Sequence, residues 1–296
     1  MSFVQDHLSS GAAPPFDPEA PLLGEIGKLQ TRLARTKSEL ISAQELRYDV
    51  FYREMGGRPS SNNRRTQRDQ DEFDPFCDHL LVLDTQHRNA EIVGTYRMMR
   101  QVQAVQAGGF YSQSEYDLAP LIRANPEAKL LELGRSCILP DYRTKRTMEL
   151  LWHGTWSHAV AHQIDIMFGC ASFEGTDPND FRDCLSWLAQ NACLSEREDC
   201  PAVASNKFNL KEIAAGSAAA ATATAAASQE PVSVRKAMAN MPPLIKGYLR
   251  LGAQIASDAV IDEQFGTIDV LVVLKVAQIN PRYLAHFGVD ASRFTV

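Results

Sequence analysis

Between residues 129 and 173 the chain passes from one apolar strand through a helix to a second apolar strand, an order that demands a sheet covered by helices. The first run, KLLELGRSCIL over 129–139, is closed by Pro140-Asp141, where proline removes a ladder donor. Met148, Leu151, Trp152 and Ala159 then recur at helical spacing over 147–162, and IDIMFGCASF over 164–173 reads as another interior strand. Upstream, HLLVLD and EIVGTYRMMR flank the polar TQHRNA in a hairpin pattern, while downstream PPLIKGYLRLGAQI predicts a helix and DVLVVLKVA a late strand. The expected fold class is α/β (α+β), without internal repeats.

Flanking segments fill in the organisation. A short strand is expected at Lys28–Ala34, and Thr36 with Glu39 predicts a capping box opening a helix that runs to Arg53 and stops at Gly56-Gly57. RPSSNNRRTQRDQDEFD is either an ordered functional loop or solvated disorder, with a basic half and an acidic half. Helices are expected at Tyr116–Asn125 and, capped by Asp177 ahead of Pro178, in DPNDFRDCLSWLAQN. Residues 1–24 read as a flexible tail and 25–296 as one domain, interrupted by a low-complexity alanine-rich insertion at 214–231.

A net charge of −6 and a pI near 5.7 argue against a surface built for nucleic acid. The sequence carries no signal-peptide pattern and no apolar run of spanning length, so a cytoplasmic enzyme, at most peripheral on the inner membrane, is expected. Cys77, Cys137, Cys170, Cys184, Cys193 and Cys200 show no paired CxxC spacing; reduced and mostly buried thiols are expected, and no metal.

Chemistry concentrates in LELGRSCILPDYRTKR, residues 131–146. Glu132 and Arg135 interrupt an apolar strand, and simple alternation sends them to opposite faces. Each must be paired or must line a cleft, because an isolated buried charge is costly. Arg143, Lys145 and Arg146 crowd the start of the following helix, whose free amides favour an anion; alternatively they form a solvated surface.

The strand, cationic turn, helix and second strand together resemble the core of the GNAT acyltransferase superfamily. That resemblance implies a central mixed sheet flanked by helices, with splayed fourth and fifth strands that admit a pantetheine arm. The family's turn pattern, Arg/Gln-x-x-Gly-x-Gly/Ala, would begin at Arg143, yet Arg146 and Met148 stand where small residues belong. This departure points from free coenzyme A toward the single phosphate of a carrier-protein arm. Arg47 with Phe51, Asp71 with Asp74, Arg97 in GTYRMM, and Glu132 with Arg135 in ELGR resemble the constellation of acyl-homoserine-lactone synthases, although Gly57 stands where those carry tryptophan. LRYDVFYREMGG, DHLLVLD, VGTYRMMR, LELGRSCILPDYRTKRTMELLWHG and PPLIKGYLRLGA are more closely similar to the bacterial L-ornithine Nα-acyltransferases.

The resemblance implies transfer of a 3-hydroxyacyl chain from acyl carrier protein to the α-amine of L-ornithine, giving lyso-ornithine lipid in lipid biosynthesis. The donor is a 3-hydroxyacyl-phosphopantetheine, with no bound cofactor and no metal. Glu132 is the expected proton acceptor, with holding of ornithine's amine as its second role. Asp71 and Asp74 are expected to pair with Arg47 and Arg97 and order the loop, while Arg143, Lys145 and Arg146 receive carrier and phosphate. Other readings are a lactone synthase and a non-catalytic module binding carrier protein or a lipid surface.

Overall fold

The computed structural model describes residues 16–86, 90–215 and 234–279. Among the described residues nine strands form one mixed sheet: β1 (Leu22–Ile26), β2 (Leu29–Leu33), β3 (Asp78–Asp84), β4 (Glu91–Arg100), β5 (Leu130–Ile138), β6 (Ile166–Glu174), β7 (Lys207–Asn209), β8 (Gln254–Asp262) and β9 (Thr267–Lys275). Their spatial order is β1-β2-β3-β4-β5-β6-β9-β8-β7, antiparallel except where β5 runs parallel to β6. Every residue of β3 is buried, as expected of a strand covered on both faces.

Helices with both ends among the described residues include α1 (Lys37–Tyr48), α2 (Ser61–Thr66), α3 (Gln101–Ala107), α4 (Ala119–Ala124), α5 (Lys145–Ala161), α6 (Arg182–Asn191), α7 (Val234–Asn240) and α8 (Pro243–Leu251). On one face Leu80, Val82, Leu131 and Leu133 pack with Leu150 and Leu151 of α5, Leu185 of α6 and Ile245 of α8. On the other, Ala43 of α1 meets Leu81 and Leu83, and Ala104 of α3 and Leu121 of α4 meet Leu130 and Phe168. Burial of alternate strand residues against helices on both faces builds the core.

Several expectations change. The sheet begins at Leu22, inside the stretch read as tail, because Leu22–Ile26 pairs antiparallel with β2. Thr36 caps α1 by accepting from the Glu39 amide at 3.2 Å, but the Glu39 carboxylate reaches the Arg35 amide at 2.7 Å and Arg32, so only half of the capping box forms. From Asp49 to Glu54 the predicted helix continues with π hydrogen bonding. The polar loop contains α2, which Ser60 caps, and α6 starts at Arg182, several residues later than its predicted cap. GAQI belongs to β8 and not to the preceding helix: Gly252, at φ 99°, ends α8 and releases the chain into the strand. Most of the alanine-rich insertion lies outside the described residues.

Candidate active site

The site is built where two parallel strands separate. β5 and β6 pair over Leu130–Ile166, Leu131–Met167 and Glu132–Phe168 and then part, although both run several residues further. They are the fifth and sixth strands in chain order, the preceding count being raised by β1. At the fork Gly169 is obligatory, since a Cβ there would lie 2.0 Å from the Leu133 carbonyl oxygen.

A bulge then turns the β5 side chains. Two steps along β4, from Thr95 to Arg97, face three along β5, from Cys137 to Gly134, and Arg135 takes the left-handed φ of 53°. The extra residue reverses the alternation expected from the sequence. Cys137 consequently packs with Leu46 and Val50 beneath α1, and Arg135 and Glu132 line one cavity instead of opposite faces.

Glu132 is 5% exposed, and its carboxylate is held by a single turn at Tyr111–Ser114. Oε2 accepts from the Tyr111 amide at 2.9 Å, and Oε1 from the Ser112 amide at 2.7 Å and the Ser112 hydroxyl at 2.6 Å. Burial nevertheless raises the pKa of Glu132, the hydrogen bonds from Ser112 and Tyr111 offsetting only part of the desolvation.

Arg135 meets the same turn, with its guanidinium 4.7 Å from the Tyr111 ring and Nη2 3.3 Å from its hydroxyl. Behind it lies a charge network. Arg97 Nη1 contacts Asp71 at 2.7 Å and Asp74 at 3.1 Å, while Arg47, fully buried, contacts Asp74 at 2.8 Å and Asp69 at 2.9 Å. Arg135 Nε also reaches Asp69 at 3.2 Å, and Tyr52 donates to that carboxylate at 2.9 Å. Arg47 and Arg97 hold the Asp74 carboxyl far below the usual carboxylate range against burial, and Asp71 is likewise lowered by Arg97. Asp69 is an unanticipated member: the sequence marks the acidic run but not which of its acids turn inward.

The enclosed space is about 330 Å³ and passes through the fork. Its walls on the α5 side are apolar, with Leu133, Met167, Leu244 and Val272, and carry the hydrogen-bonded hydroxyls of Tyr96 and Tyr248. On the opposite side it is lined by Ser112, Glu115, Arg135, Asp262 and Asp269. Phe51 forms a further wall and meets Phe265 edge-on at 5.8 Å. A Cβ on Gly57 would come within 3.3 Å of the Phe265 ring and 2.8 Å of the Phe51 carbonyl oxygen, so this residue makes room for the β8–β9 turn.

The cationic exit is exposed. Arg143 borders the cavity and pairs with Glu54 at 2.5 Å, Lys145 lies 3.7 Å from Glu149, and Arg146 is exposed on the first turn of α5. Thr144 caps that helix by accepting from the Thr147 amide at 3.3 Å. Other cavity residues escaped sequence reasoning. Tyr96 and Tyr248 look like ordinary core aromatics and Glu115 falls in a segment without periodicity, whereas the segment around Asp262–Asp269 reads in the sequence as one that closes over the acceptor, without a motif that marks it.

Comparison with known proteins fits this geometry. Residues 46–153 match the acetyltransferase (GNAT) domain, which with the forked sheet defines the chain as an acyltransferase of GNAT-like fold. The L-ornithine Nα-acyltransferase of Brucella abortus (strain 2308) is 45% identical over 279 residues, covering 93% of this chain and 94% of its own. That of Agrobacterium fabrum (strain C58 / ATCC 33970) is 46% identical, covering 92% and 89%, and that of Rhizobium meliloti (strain 1021) 43%, covering 94% and 90%. This chain belongs to the L-ornithine Nα-acyltransferase family.

Proposed function

We propose that this acyltransferase moves a 3-hydroxyacyl chain from the phosphopantetheine of acyl carrier protein to the α-amine of L-ornithine, the first acylation in making ornithine lipid. The observation that carries this reading is the cavity through the β5–β6 fork, apolar on one side and rich in carboxylates on the other. An acyl thioester suits the first wall and a cationic amino acid the second. The names of the relatives support ornithine as acceptor.

In the reaction the neutral α-amine attacks the thioester carbonyl and a C–N bond forms. Glu132 takes the amine proton directly or through water, and burial, by raising its pKa, makes the carboxylate a stronger base. Past Glu132, where β5 no longer pairs with β6, backbone amides of β5 are available to donate to the oxyanion of the tetrahedral intermediate. Collapse breaks the C–S bond, and the departing thiolate takes up a proton. Tyr96 and Tyr248 supply hydroxyls on that wall, and burial keeps both protonated, pushing Tyr96 up to about 12.

Arg143, Lys145 and Arg146 support a carrier-borne donor. They stand at the amino end of a 17-residue helix, where backbone amides add to their attraction for a phosphate and an acidic partner. Among the described residues no helix is long and apolar enough to cross a membrane, and the amphiphilic product fits a cytoplasmic enzyme making transient contact with the inner-membrane surface.

The test is product analysis. Purified chain with 3-hydroxyacyl carrier protein and L-ornithine should yield N-acylornithine by mass spectrometry. Carrier binding without product would select a binding module, and a lactone formed from S-adenosylmethionine would select the synthase reading.

A further inference from the structure

Glu115, Asp262 and Asp269 bring carboxylate oxygens within 4.8 Å of one another on the polar wall of the cavity. Carboxylates this close repel one another unless a cation or a proton intervenes. Among the described residues none of the three stands in an ion pair. The nearby Arg135 is committed to Asp69 and Asp71, with its guanidinium 4.7 Å from the Tyr111 ring and 5.0 Å from that of Phe265. Asp269 is only 7% exposed, and its Oδ1 is buried without a hydrogen-bond partner. Asp262 is fixed by accepting from the amides of Gln264 at 2.7 Å and Phe265 at 3.0 Å, and among the described residues the Glu115 carboxylate accepts only from the Cys170 thiol, at 3.4 Å.

We infer that these three carboxylates hold the side-chain ammonium of the acceptor and so set a preference for a dibasic amino acid. The inference rests on the ornithine reading and assigns its second nitrogen. Position along β6 supports it: Phe168 pairs with Glu132 at the fork, Cys170 lies beside Glu115, and Ser172 pairs with Asp269. Two to four strand residues span about 7 to 13 Å. The nitrogens of extended ornithine are roughly 6 Å apart by standard bond lengths, leaving a hydrogen-bond length at each end.

The electrostatics agree. Burial, with repulsion among the three, pushes Glu115 up to about 7 and Asp269 up to about 6. A bound ammonium would relieve that repulsion.

The experiment compares L-ornithine with L-norvaline, which keeps the carbon chain but lacks the terminal amine, using the full chain and 3-hydroxyacyl carrier protein. Wild-type protein should favour ornithine in kcat/KM, and Asp269→Asn and Glu115→Gln should each narrow that ratio roughly 10- to 100-fold, mainly through the ornithine KM. Circular dichroism and carrier binding verify that each variant is folded. An unchanged ratio in either folded variant, or no discrimination by the wild type, overturns the inference. Loss of ornithine turnover in EDTA with recovery in Mg²⁺ would overturn it in favour of a metal. Failure of the wild type to acylate either amino acid would remove the ornithine reading itself, and the inference with it.

Discussion

Glu132 shows how one side chain joins structure to chemistry. Two amides and a hydroxyl from Tyr111 and Ser112 fix its carboxylate at the fork, so Glu132→Gln keeps the size while removing the proposed proton acceptor. Turnover should fall about 10²- to 10⁴-fold with carrier binding nearly intact, and a wild-type pH–rate profile in the variant would refute the assignment. Gly169 is a steric counterpart. Because a Cβ would sit 2.0 Å from the Leu133 carbonyl, Gly169→Ala should force the strands apart, lower the melting temperature and abolish turnover; a fully active variant would show the fork to be more pliable than its geometry. Glu132 and Arg135 stand out in the sequence as charges in an apolar run. Their common orientation does not, because a period-2 pattern carries no sign of the bulge that puts Arg135 at φ 53°.

At the scale of elements, the loop before β3 is held by charge. Removing one partner of a buried pair leaves the other uncompensated, so Arg47→Met should destabilise the fold by roughly 3–5 kcal/mol in urea titrations. Asp71 and Asp74 titrate below their ordinary range, and Asp78, beside His158 and Arg100, near about 2. Their stabilisation is complete above the unfolded carboxylate pKa near ~4 and is lost as pH falls through the lower folded values. The urea midpoint should therefore fall steeply below about pH 4 and less so in Arg47→Met; parallel acid limbs would deny the network this role. For the turn into α5, proposed as the donor's docking surface, Arg143→Ala with Arg146→Ala should raise the donor KM with a weaker salt dependence, and an unaltered salt response would exclude both from that surface. These elements were legible to different degrees. The hairpin, β5, α5 and β6 follow from apolar periodicity, whereas β8 was hidden because its residues continue an apolar helical run, with Gly252 as the only local stop signal.

Over the whole molecule, the sheet does two jobs. Its antiparallel flanks close a core on both faces, and the parallel β5–β6 pair opens into the cavity. Charge in this acidic chain is local, with cations at the α5 turn and carboxylates on one wall of the cavity. The most direct test supplies L-ornithine with the same 3-hydroxyacyl group either on acyl carrier protein or on coenzyme A, and locates the product's acyl group by tandem mass spectrometry. The predicted result is acylation of the α-nitrogen with a higher kcat/KM for the carrier-borne donor; equal or better use of coenzyme A, or acylation of the side-chain nitrogen, would contradict it.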